Sequence, residues 1–205
     1  FCPSSKQPEL KVATVAIEAA SLSWQAVFMA WLPADDALAL RERLKPLADE
    51  FAFTSCVPFG REPDAQARVG VLLRLGHAQA PSIERLQQLA ALFGVDTAHD
   101  PSLLRYDDEA RAQYRWLRVA TNADGGQTLR ALVLAGKPDA AAWLRPLLQG
   151  DMDVAELGTL LLHPGALAPV KVADAGKQVC TCFNVSEPQI LAHLQQPTCT
   201  GSDEA

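Results

Sequence analysis

The chain has 205 residues, of which 49% are hydrophobic and 20% charged, and its mean hydropathy is +0.03. That composition excludes a largely disordered chain, and the length suffices to bury a sizeable core. A net charge of −6 and a pI of about 5.2 argue against broad attraction to nucleic acid or anionic lipid. No window reaches the roughly 18 consecutive apolar residues of a membrane-spanning helix. Neither a nucleic acid nor a membrane is expected as a partner.

Residues 1–20 read as a lead-in that ends in a strand over Val12–Ile17. Gln25–Trp31 is apolar and predicts a strand. Pro33-Ala34-Asp35-Asp36 opens an amphipathic helix to about Phe51, with Leu38, Leu40, Leu44 and Leu47 on its apolar stripe. Phe51–Phe59 and Arg68–Leu75 predict two more strands. Pro81-Ser82 starts a helix that places Ile83, Leu86, Leu89, Ala90 and Phe93 on one face and stops at Gly94. If Leu103–Tyr106 supplies a last strand, residues 21–110 form a ferredoxin-like split β-α-β module. Residues 111–163 follow as a β-hairpin and helices. Gln113–Thr121 and Thr128–Leu134 flank Asp124-Gly125-Gly126, a turn signal. A helix carrying Trp143, Leu144, Leu147 and Leu148 runs to Gly150, and another is expected over Asp151–His163. Residues 164–178 lack amphipathic period and read as a linker. The fold class is α+β.

Of five cysteines, Cys56 sits mid-strand and reads as a small buried hydrophobe, and Cys2 and Cys199 stand alone. Cys180-Thr181-Cys182 differs. One residue between two cysteines closes only a strained disulfide ring, whereas both thiolates can point at one metal centre. Ser186-Glu187-Pro188-Gln189 is a capping box, so the pair precedes a helix N-terminus, where backbone N–H groups favour anionic sulfur. Two incidental cysteines are the plainer alternative. Arg61, Glu62 and Arg68 read as a solvated charge cluster, and Arg105, Asp107 and Asp108 as a turn or strand edge. The histidines show no ligand spacing. Phe1 is not a start residue, and Thr200–Ala205 has the residues of a helix start with no helix after it. The ends are therefore read either as cuts in a longer protein or, at the C-terminus, as a frayed acidic tail.

Val179-Cys180-Thr181-Cys182-Phe183-Asn184-Val185-Ser186 resembles the first half of a BFD-like (bacterioferritin-associated ferredoxin-like) [2Fe–2S] domain, expected here over residues 179–205. In that family a C-x-x-C pair follows some thirty residues later, beyond Ala205. Ser5-Lys6-Gln7-Pro8-Glu9-Leu10-Lys11 resembles the close of the molybdopterin-dinucleotide-binding domain of bacterial nitrate reductases. The resemblance places Lys11 beside a bis-molybdopterin guanine dinucleotide. Both features occur, in this order, in the assimilatory nitrate reductase catalytic subunit, and segments around Phe59-Gly60-Arg61-Glu62, Gly70–Arg74 and Leu104–Asp108 resemble its C-terminal extension. The resemblance implies a cytoplasmic oxidoreductase of nitrate assimilation. Cys180 and Cys182 would be ligands of a [2Fe–2S] centre that takes electrons from a reductase subunit, flavoprotein or ferredoxin. The [4Fe–4S] ligands, the molybdenum-facing residues and any catalytic residue would lie in the remainder of the polypeptide. An interaction or scaffold module without a cluster is the alternative from a different class.

Overall fold

Strand β1, Trp24–Pro33, is buried at every residue from Ala26 to Trp31. A strand with both faces buried needs a layer on each side. The computed structural model supplies both, and it describes residues 22–61, 68–100, 102–123, 125–150, 152–168, 178–180 and 185–195. The fold is α+β, with a six-stranded antiparallel sheet at its centre. β1 pairs with β3 (Arg68–His77) on one side and with β6 (Gln127–Ala135) on the other. β2 (Phe53–Arg61) forms the edge beyond β3. β5 (Gln113–Thr121) and then β4 (Leu104–Asp108) lie beyond β6.

The connection from β1 through helix α1 (Ala34–Leu44) to β2 has β3 between the two strands. This placement of one strand between two joined through a helix is one feature of the split module expected from the sequence, not the whole of it. The last strand differs. Leu104–Asp108 is a strand, but it pairs with β5 at the far edge, and β6 takes the place beside β1. Side-chain character explains the exchange. From Ala131 to Ala135, β6 is apolar and buried and suits a sheet centre, whereas Leu-Arg-Tyr-Asp-Asp exposes three of its residues and suits an edge. One sheet thus contains strands from both sides of the division expected at residue 110.

Alternate strand residues face opposite layers. Phe28, Leu73, Val133 and Trp116 pack under α1 and helix α2 (Ile83–Leu92). Met29, Leu72, Leu132 and Leu117 pack under helix α3 (Ala141–Gln149) and a short 3-10 turn at Gly158–Leu162. Pro46 sits in the first turn of a 3-10 segment, Lys45–Asp49, where α1 ends earlier than its apolar stripe predicts. Ala37, Leu40, Leu44 and Leu47 are buried there, and Leu38 instead points to solvent. Ser82 caps α2 by accepting a hydrogen bond from the Arg85 amide at 3.3 Å.

No long helix fills Asp151–His163. Asp153 makes an isolated bridge to Thr128, and its carboxylate accepts hydrogen bonds from the Gln127 and Ala155 amides, both at 3.0 Å. These bonds hold Asp153 against β6; the chain then turns over Ala155–Leu157, with the Leu157 amide on the Val154 carbonyl at 3.0 Å, before the 3-10 turn from Gly158. Along the row Phe59–Gly70–Trp31, Gly70 admits a ring: a Cβ there would meet the Phe59 ring at 2.4 Å. Gly60, with φ +57°, makes the bulge that follows in β2. The strand expected at 12–17 lies outside the described residues, as do 62–67 and most of 164–178.

Candidate functional site

Two places in the chain are candidates for chemistry beyond packing. The first is the cysteine segment. Strand β7 (Gln178–Cys180) pairs antiparallel with β8 (Val185–Ser186), in the register Gln178 to Ser186 and Cys180 to Val185. Helix α4 (Glu187–Gln195) follows at once. Cys180 and Val185 are thus cross-strand partners, directly before a helix N-terminus. Ser186 immediately precedes that helix, as the capping box requires. Cys182 lies outside the described residues, and so does Lys11 at the other end of the chain. Leu191 and Leu194 of α4 are exposed.

The second place is a cavity of about 540 Å³ between α3 and the β1–β3 part of the sheet. Arg74 of β3 and Arg145 of α3 both line it, over a floor that includes Val27, Met29 and Leu72. Burial, and then the neighbouring charge of Arg74, hold the pKa of Arg145 below the usual guanidinium range. Asp139, just before α3, also lines the space. The sequence reading missed this site. Its signal was present: Arg74 is a charge inside an otherwise apolar strand, Val69–Leu75.

Elsewhere the polar groups have structural work. Asp107 accepts from the indole of the buried Trp116 at 2.6 Å and from Arg105 Nε at 2.8 Å. Arg105 also donates to the Thr97 carbonyl at 3.0 Å. This is the strand edge expected from the sequence. Arg115 is buried and donates to the Leu162 carbonyl at 2.8 Å, with the Tyr106 ring 5.6 Å away. Cys56 is half-buried in β2, and burial pushes its thiol up, partly offset by Arg41. Its thiolate population at neutral pH is correspondingly small. Among the described residues, no three or more His, Cys, Asp or Glu side chains stand together as a metal site. No helix among them is long and apolar enough to cross a membrane. Comparison with family models, with curated proteins and with solved structures found no match to this chain.

Proposed function

We propose that this chain is the C-terminal electron-entry and docking segment of a cytoplasmic assimilatory nitrate reductase, whose remaining polypeptide reduces nitrate to nitrite at a molybdopterin cofactor. The observation that supports the reading is the pairing of β7, which ends at Cys180, with β8, directly before α4. In extended backbone the side chains at i and i+2 share a face, the spacing with which a C-x-C pair reaches one metal centre. Helix N-terminal amides close by favour the negative charge of thiolate-bound iron.

The residues present fit half of a [2Fe–2S] centre, because four thiolates are needed and Cys180 and Cys182 are two. Such a centre, when bound, supplies one-electron transfer between a donor and the molybdenum site. The contribution of this chain is to present that thiolate pair, and the acidic α+β body offers surface to a reductase, flavoprotein or ferredoxin. Lys11, at the edge of the cofactor domain, would meet a pyrophosphate or pterin through its ammonium group.

The test uses the full-length gene product and compares two electron sources. Cys180→Ser and Cys182→Ser should cut nitrate reduction by the physiological reductase at least about tenfold. They should spare reduction by a small viologen that reaches the inner centres directly. Equal loss with both sources, or no loss with either, overturns the electron-entry role and leaves the scaffold reading.

A further inference from the structure

The cavity beside α3 combines features that sheet packing does not require. β3 turns Gly70, Leu72, Arg74 and Gly76 toward the α3 layer, since their partners Trp31 and Met29 pack on that side. Arg74 thus places a charge on a face that is otherwise small or apolar, between Val27 of β1 and Ser55 of β2. Arg145 reaches the same space from α3, one turn after Ala141, which also lines it. Two guanidinium groups in one cavity repel each other, and an anion between them turns that repulsion into two attractions. Guanidinium forks match the oxygens of carboxylate and phosphate, and they do so best where water is partly excluded. The positive end of the α3 dipole also faces the space, with Asp139 just before the helix offsetting part of it. The amides there are largely engaged, with Ala141 N–H on the Pro138 carbonyl at 2.9 Å, so the field and not free donors is the helix's contribution. Asp139 at the rim is an acceptor, suited to a hydroxyl or N–H on the ligand. A volume near 540 Å³ is in the range of small-molecule sites.

We propose that this cavity binds an organic anion, a carboxylate or phosphate on an apolar body, with Arg74 and Arg145 holding the charged end and Val27, Met29 and Leu72 receiving the rest. This site is independent of the cysteine hairpin and stands or falls without it.

Titration of the protein with anilinonaphthalene sulfonate, an aromatic anion whose fluorescence rises on binding, tests the proposal. Saturable one-to-one binding is expected. Arg74→Gln and Arg145→Gln should each weaken it about tenfold, the worth of one charge-assisted contact. Arg43→Gln, on α1 across the sheet, should leave it unchanged. Displacement by phenyl phosphate alone assigns a phosphate, by octanoate alone a carboxylate, and by both an unselective anion site. Displacement by neither overturns the proposal. Because Arg145 is half-buried, its variant can fail to fold. Arg74 is exposed, and an affinity unchanged in both Arg74→Gln and Arg74→Glu overturns the assignment.

Discussion

Single side chains set tight limits in this sheet. Gly70 lies directly beneath the Phe59 ring, which is fully buried and 5.9 Å from the Trp31 ring. A methyl group at 70 has no room, because the ring is confined by the α3 layer above it. Gly70→Ala should cost about 1–3 kcal/mol, the usual penalty for overpacking. A denaturant titration measures it as a lower midpoint with an unchanged slope. A cost below about 0.5 kcal/mol would mean the ring moves freely. Arg115 shows the opposite economy. A buried cation is tolerated because the Leu162 carbonyl and the Tyr106 ring face it. It thereby fastens the 3-10 turn to the sheet.

Elements join through pairs that no local pattern announces. Arg85 of α2 donates two hydrogen bonds to Glu50, after the 3-10 segment that follows α1, at 2.7 and 2.5 Å. The Arg85 hydrogen bond holds the Glu50 carboxyl below its ordinary value; burial opposes it, and the Arg85 charge adds a lesser lowering. A depressed carboxyl contributes stability above its unfolded-state pKa and loses it as pH falls through the folded-state pKa. Both side chains are more than a third exposed, so solvent limits the contribution to about 1 kcal/mol at most. Glu50→Gln should therefore be slightly less stable at pH 7, and the gap should shrink as the pH falls through the acid range, as read from paired thermal melts. A gap that widens on acidification would contradict the pairing. Elements with local signals were legible in the sequence. Ser82 capping α2, Gly94 closing it, the Asp124-Gly125-Gly126 turn and the Trp143–Leu148 face all depend on near neighbours. The Asp151–His163 segment was not legible, because its conformation depends on Asp153 binding an amide 26 residues away. The cavity was missed for the same reason: Arg74 and Arg145 meet only after β3 and α3 pack on opposite sides of it.

At the scale of the whole molecule, β6 matters most. It fills the position beside β1 where a self-contained split β-α-β module would place its own last strand. Without β6, β1 loses the partners of Ala26–Ala30, and β4 has no neighbour once β5 is gone. A protein cut between residues 110 and 111 should yield pieces that are unfolded apart and regain the sheet when mixed, seen by amide exchange. The intact chain should unfold its sheet in one transition. A stably folded piece ending at 110 would show that the expected domain division is real. The strand order could not be read from local signals, because the place beside β1 is decided by which strand best tolerates burial between two layers, and that depends on residues far apart in the chain.

The functional account rests on Cys180 and Cys182, and it is tested most directly by iron and acid-labile sulfide analysis with electron paramagnetic resonance of the reduced full-length protein. The account predicts a [2Fe–2S] signal that disappears in the Cys180→Ser, Cys182→Ser double variant while any other cluster signal persists. A [2Fe–2S] signal of unchanged intensity in that variant, or none in the parent, would contradict it.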